Sequence, residues 1–435
     1  MRPPLVVVLG CTGTGKSRLA IELALRFRGE LVSADSMQVY QGLDIVTNKV
    51  SAEQLQMCKH HFIGCVPTFH EYSVLEFRNA ALPLIEKLRS TNVMPIVVGG
   101  TNYYIESLLW NILIDSPGEQ QTLHQVEGKV LEPETSDLSL YQKLQHIDPE
   151  GAAKVHPNDT RRVERCLEVF QQYGRSKSEI LSERKKGEAS AGISQGGEMK
   201  FNDVTVLWIQ CEYEVLDERL NTRVDEMVKM GLKNEIYQLH ETAQQKGKEL
   251  LPTKGIFQAI GYKEFQPYLK LLDETGQMTV DDDRLKETFT TCTNNLKRAT
   301  RNYARKQTSW IRNRFLKRVG QAVPDVYALD STDIDKWDSN VFQPAEKIIK
   351  SKLDDIPLPV SPLERIEGVE ETWKHHICDV CGGRVVRSDH EWQIHLKSRV
   401  HRRCLKRMKK QGTREERVRD SVSSGSDHKV LLNMQ

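Results

Sequence analysis

No apolar run in the 435 residues approaches the length of a membrane span, so no membrane partner is expected. The nine cysteines stand singly apart from Cys378 and Cys381, which excludes a disulfide framework and points to a reducing compartment. Acid is missing from two stretches: Lys297 to Arg318 holds nine Lys or Arg and no Asp or Glu, and Lys397 to Lys410 holds eight and none. The net charge of +2 hides this segregation, and basic blocks balanced by acid elsewhere suggest a polyanion partner. The first strand begins within four residues of Met1, which leaves no room for a signal or transit peptide. A cytoplasmic protein is expected, with the nucleus as a second compartment, and a mitochondrial form only from an alternative start.

A hydrophobic content of 38% and a charged content of 28% describe a globular chain long enough for two or three modules. Its organising stretch comes first. Leu5–Leu9 is a continuous apolar run that reads as a buried strand, and Arg18–Ala24 has apolar residues three and four apart, as a helix requires. Between them lies Gly10-Cys11-Thr12-Gly13-Thr14-Gly15-Lys16-Ser17, the pattern G-x-x-x-x-G-K-S. Its glycines let backbone N–H groups converge on phosphate oxygens at a helix N-terminus; Lys16 adds a point charge and the Ser17 hydroxyl suits Mg²⁺.

A phosphate cradle does not specify a nucleotide. A P-loop NTPase ends a later buried strand in an acid that holds Mg²⁺, whereas Pro95–Val98 runs into Gly99-Gly100-Thr101 and no downstream apolar strand ends in an Asp-Glu pair. The acid comes earlier: the strand at Leu31–Ser33 delivers Asp35. Ligands of open α/β sheets sit at the carboxyl ends of strands, so Asp35 and Thr101 are expected to face the loop. Met37, Val39 and Tyr40 after Asp35, with Tyr103 and Tyr104 after Thr101, are expected to form apolar and aromatic walls. The pair His60-His61 reads equally as packing or as substrate contact.

Tyr72–Arg89 reads as a helix that Pro83 should kink or divide. Residues 111–200 break the α/β rhythm and read as a helical insertion. It includes a helix over Asp159–Tyr173, with Arg161, Arg162 and Arg165 near one face, and a Gly/Ser-rich loop at Lys185–Lys200. Val204–Ile209 resumes the core, followed by a helix from Leu216 to His240 that sets Arg219 and Arg223 one turn apart. Asp281-Asp282-Asp283 caps a long helix whose buried side carries Leu285, Phe289, Cys292, Leu296, Ala299 and Tyr303, and whose other faces carry Arg301, Arg305 and further cations suited to an RNA backbone. After a linker at 351–374, Cys378-x₂-Cys381 and His395-x₅-His401 have the spacing of a Cys₂His₂ zinc site, similar to the matrin-type fingers, within a module at 375–405. The polar tail at 411–435 reads as disordered.

GCTGTGKS, SADSMQVYQGLDIVTNK, HHF, PIVVGGTNYYIESLLW, QAIGYKEF and RNYARKQTSWIRNRF, in that order, resemble the tRNA dimethylallyltransferases (IPP transferases), with the zinc finger of the eukaryotic members. The resemblance implies an α/β fold with a P-loop NTPase-like parallel sheet at 1–110 and 201–350. It also implies transfer of a dimethylallyl group from dimethylallyl diphosphate to N6 of the adenine just 3′ of a tRNA anticodon. Asp35 would be the general base, Thr101 would orient it or hold a phosphate, and Lys16, Arg223 and the loop from Gly10 to Ser17 would take the diphosphate with Mg²⁺. Contacts to tRNA are implied for Asp35, Ser36, Met37, Gln38 and Thr101; for Arg161, Arg162, Val163, Glu164 and Arg165; and for Gln258, Arg301 and Arg305. The family commonly has Gln where this chain has Arg161. A monomer is expected. Two other classes stay open on the residues alone: an ATP-dependent small-molecule or nucleoside kinase, and a non-enzymatic zinc-finger RNA-binding protein.

Overall fold

A computed structural model describes residues 2–114, 138–189, 199–248, 250–251, 253–275, 283–317, 323–358, 360–366 and 373–408. The chain forms two compact units, Met1–Ile114 with Ala191–Gly368, and Asp115–Ser190 with Val369–Gln435.

The first unit is built on a six-stranded, all-parallel sheet in the order β3-β2-β4-β1-β5-β6. Its N-terminal half runs β1 (Leu5–Gly10), α1 (Lys16–Phe27), β2 (Gly29–Ser33), α2 (Ala52–Met57), β3 (His60–His61), α3 (Val74–Ser90), β4 (Met94–Val98) and α4 (Asn102–Leu109). All six residues of β1 are buried, as expected of a central parallel strand covered on both faces. Val6 and Val8 pack on the face of α1, and Leu5, Val7 and Leu9 on the face of α3 and α4. Chain order leaves β1 in one direction and returns to β5 on its other side, so the carboxyl ends around β1 form a crevice.

The remaining elements of this unit are β5 (Val204–Gln210), α9 (Tyr213–Lys229), α10 (Leu232–Gln245), α11 (Gln266–Thr275), α12 (Asp283–Ile311), β6 (Val326–Asp330) and α13 (Gln343–Asp354). The helix expected from Leu216 to His240 is two helices. Gly231, at φ 105°, ends the first in a left-handed turn and starts the second. Pro83 does not divide α3, which runs unbroken behind a Ser73–Glu76 capping box. Asp281 and Asp282 lie outside the described residues, as do the tail at 411–435 and most of the Gly/Ser-rich loop. Residues 355–366 are more than a spacer. Leu363 donates its N–H to Val326 O at 2.7 Å and packs on the core, and Ile366 donates to Leu316 O at 3.0 Å.

In the second unit, α5 (Leu140–Ile147), α6 (Pro149–Lys154), α7 (Thr160–Tyr173) and α8 (Lys177–Ala189) enclose a small core of Leu144, Ala152, Val155, Val163, Cys166 and Leu167. The hairpin of β7 (Trp373–Cys378) and β8 (Arg384–Ser388), with α14 (Asp389–Lys397), belongs to the same unit. Tyr141 shares its hydroxyl between Ala152 O at 3.0 Å and His375 Nδ1 at 3.2 Å, which ties the hairpin to α5 and α6.

Candidate active site

The phosphate loop turns from β1 into α1 with Gly15 at φ 89°, where a side chain is strained. A Cβ there would also come within 2.6 Å of the Trp337 ring. That ring is held by its Nε1–H donating to Glu22 at 2.8 Å and by the Arg18 guanidinium 4.5 Å above it. Inside the loop, Cys11 O accepts from Thr14 Oγ1 at 2.9 Å and from Lys16 Nζ at 2.8 Å. Burial pulls the Lys16 ammonium down to about 8; Asp35 works against this and Arg223 with it. Burial likewise pushes the Cys11 thiol up. Of the two arginines on α9, Arg223 reaches the loop and donates to Thr12 Oγ1 at 2.8 Å. Arg219 is spent on the carbonyls of Ser331 and Thr332, both at 2.8 Å. Asp330, exposed at the end of the edge strand β6, accepts from Thr332 N–H and Oγ1. The sequence reading missed that strand.

The opposite wall begins where β2 ends. Asp35 Oδ1 accepts from Met37 N–H at 2.9 Å, and the Ser36 N–H donates to Thr101 Oγ1 at 2.9 Å, so the loops after β2 and β4 are clasped. Gly99 makes the clasp possible. A Cβ at this position would sit 2.1 Å from Ala34 O, a backbone atom that cannot move away because Ala34 N–H donates to Val98 O. From α12, Tyr303 donates to Gly100 O at 3.3 Å and Gln307 to the same carbonyl at 2.8 Å. The Tyr303 phenol is pushed far up by burial and by Asp35.

Both walls line one cavity of about 500 Å³ that includes Thr12, Lys16, Ser17, Asp35, Gly100 and Arg223. This is the size of a small-molecule site. The apolar walls are not those expected. Val39 and Tyr40 are fully buried in the core, Tyr104 stacks on Phe77, and Tyr103 is 41% exposed beside Trp310. Met37 does line the cavity, joined by Val46, Val224, Met227, Ile260 and Leu296. Most of these come from α9, α12 and loops far along the chain, which spacing near Asp35 could not reveal. Gln38 and Gln258 also line it. Of the histidine pair, His60 lines the cavity. Its Nδ1 bonds Cys58 O at 2.8 Å, burial lowers its pKa, and its buried Nε2 has no partner among the described residues. His61 pairs with Glu30 at 2.7 Å.

The cations expected to meet RNA are partly engaged within the protein. Arg305 pairs with Asp217 at 2.7 Å, Arg301 bonds Asn221, and Lys297 pairs with Asp225, all across α9. In the second unit, Arg162 pairs with Asp159 and Arg165 with Glu168, while Arg161 and Glu164 are exposed on α7. Val163 is a correction: at 1% exposure its side chain belongs to the small core and presents nothing to a partner.

Cys378, Cys381, His395 and His401 offer ligand atoms within 4.8 Å of one another. Cys378 Sγ lies 3.4 Å and Cys381 Sγ 3.6 Å from His401 Nδ1, near the edge lengths of a tetrahedron with metal–ligand bonds of about 2.0–2.3 Å. His395 Nε2 is buried without a partner among the described residues, so the donor set fits a metal ion.

Three comparisons bear on this arrangement. The IPP transferase family model matches residues 38–314. The chain is 42% identical over 431 residues to the tRNA dimethylallyltransferase of Homo sapiens, covering 98% of this chain and 91% of that protein. It is 35% identical over 433 residues to the Saccharomyces cerevisiae protein of the same name, covering 96% of this chain and 95% of the other. A solved structure of a eukaryotic dimethylallyltransferase acting on tRNA is similar with a TM-score of 0.76 at 32% identity, over 95% of this chain and 99% of that one.

Proposed function

Because the chain belongs to the IPP transferase family, we propose that it transfers a dimethylallyl group from dimethylallyl diphosphate to N6 of the adenosine on the 3′ side of a tRNA anticodon. The observation that carries this reading is the shared cavity, with a cationic phosphate loop on one wall and Asp35 on the other, its loop clasped from behind by Thr101. In the step proposed, the N6 lone pair attacks C1 of the dimethylallyl group, the C1–oxygen bond breaks, diphosphate departs, and Asp35 takes the N6 proton. Adenine N6 is a poor nucleophile, so positioning and leaving-group stabilisation must supply much of the acceleration. Lys16, Arg223 and the loop amides are the cations and donors available for the growing charge. Asp35 keeps one oxygen on Met37 N–H, which aims the carboxylate and leaves the other oxygen for the amine. The apolar side chains from α9 and α12 suit a five-carbon chain better than a base.

The Ser17 hydroxyl is a hard oxygen donor lining the same cavity and would hold Mg²⁺ together with diphosphate oxygens. Mg²⁺ would neutralise diphosphate charge there. In the second unit, the Cys₂His₂ cluster would hold Zn²⁺ as a folding element. Cations of α12 and α7 would meet tRNA phosphates.

The test is direct. Purified protein with Mg²⁺, unmodified tRNA and dimethylallyl diphosphate is expected to yield prenylated adenosine by mass spectrometry without ATP. Phosphate transfer from ATP with no prenylated product would overturn the reading in favour of a kinase.

A further inference from the structure

Resting on that reaction, we infer that Gln307 is a positioning residue that sets the spacing between the phosphate loop and the wall that carries Asp35. Gln307 sits on the buried side of α12, one turn beyond Tyr303, and is 4% exposed. A single buried amide on the apolar stripe of a basic helix needs partners for both of its ends. Here they come from different walls of the cavity. Its Oε1 accepts from Thr12 N–H at 2.9 Å, in the phosphate loop, and its Nε2 donates to Gly100 O at 2.8 Å, beside Asp35 and Thr101. The orientation of the amide is fixed by chemistry, since an N–H needs an acceptor and a carbonyl needs a donor.

The residue's surroundings reinforce the bridge. Asn102, at the start of α4, donates to the backbone carbonyl of Gln307 at 3.3 Å, so helix and wall are joined twice. A Cβ on Gly100 would lie 2.6 Å from Gln307 Nε2 and 3.3 Å from Asp35 Oδ2, so the glycine is what admits the amide this close to the carboxylate. On the other side Thr12 carries the Oγ1 that receives Arg223. The one amide therefore links the leaving-group cations to the base. Gln307 borders the cavity, but both ends of its amide are taken by backbone groups of the two loops, so it acts through the loops it spans.

Nucleophile and leaving group must be held in line, and a misplacement of about 1 Å can cost roughly 10²-fold. Gln307→Met keeps the length of the side chain and loses both bonds. Gln307→Glu introduces a carboxyl whose neutral form is the isostere of the amide: its carbonyl accepts from Thr12 N–H and its O–H donates to Gly100 O. Its ionised form has no donor for Gly100 O and leaves two acceptors opposed, which with burial favours the neutral form. The introduced group is therefore a titratable version of the bridge.

Single-turnover prenylation with saturating tRNA and donor, from pH 6 to 9, tests the inference, with parent activity measured first; a parent without prenylation refutes the proposed reaction and not the bridge. Gln307→Met is expected to lose about 10²-fold in the single-turnover rate with donor and tRNA affinities within about threefold of parent. Gln307→Glu is expected to regain rate relative to Gln307→Met as pH falls, a dependence that a role in folding alone would not produce. Unfolding transitions and the concentration of active sites are measured for both variants, so that loss of folded protein is separated from loss of rate. Parental single-turnover rates for Gln307→Met, or equal losses for the two variants at every pH, would overturn the inference.

Discussion

Replacing Asp35 by Asn separates the part its carboxylate plays in holding a loop from the part proposed for it as general base. Its Oδ1 accepts from Met37 N–H at 2.9 Å and so holds the loop after β2. The amide of Asn keeps a carbonyl for that bond, so the turn, and with it the Ser36–Thr101 clasp, survives. What is lost is an acceptor for the N6 proton, because the second heavy atom becomes an NH₂ donor facing an amine. General-base removal costs about 10²–10⁴-fold, or roughly 3–5 kcal/mol of barrier. Asp35→Ala removes the Met37 bond as well and is expected to add about 1 kcal/mol of instability. The assay is single-turnover formation of prenylated adenosine, with donor and tRNA affinities and the unfolding midpoint measured alongside. Asn should show parental binding and midpoint with the full loss of rate. A single-turnover rate for Asp35→Asn within about threefold of parent would mean that the carboxylate only holds its turn, and the reasoning fails.

Lys16 titrates at about 8 because it is buried, so it is charged below that pH and neutral above it. Affinity for diphosphate, by calorimetry, should fall as pH rises through 8, by up to about tenfold per unit, with buffer-dependent proton uptake; a flat profile from about pH 7 to 9.5 contradicts the placement. Gly99→Ala drives a methyl group into Ala34 O and should cost about 1–3 kcal/mol or more in denaturant unfolding. A midpoint equal to the parent's would show that the two loops are free to part. Cys378→Ser should abolish stoichiometric zinc, weaken tRNA binding and flatten its salt dependence while leaving the single-turnover rate at saturating tRNA unchanged. An unaltered salt slope would remove the basic finger from the tRNA contact.

The phosphate loop, the position of Asp35 and the Cys₂His₂ cluster were legible in the sequence because each is a local pattern. A cradle needs glycines at fixed offsets beside Lys16, and a metal site needs its ligands at short spacings. The strands β1, β4 and β5 were legible for a related reason: a parallel strand covered on both faces must be apolar throughout. The tertiary structure alone decided which residues from distant elements complete the cavity. Val224, Met227 and Leu296 become its walls, and Gln307 its bridge, only when α9 and α12 pack across the carboxyl ends of the sheet. A polar residue on the buried stripe of α12 was the one available signal for Gln307, and it names no partner. Likewise the basic composition of α12 could not show that Arg301 and Arg305 turn to α9, because an ion pair depends on which helix lies alongside. Burial, too, is a property of the assembled core. It takes Val163 and Tyr40 away from any surface and brings Lys16 down to about 8.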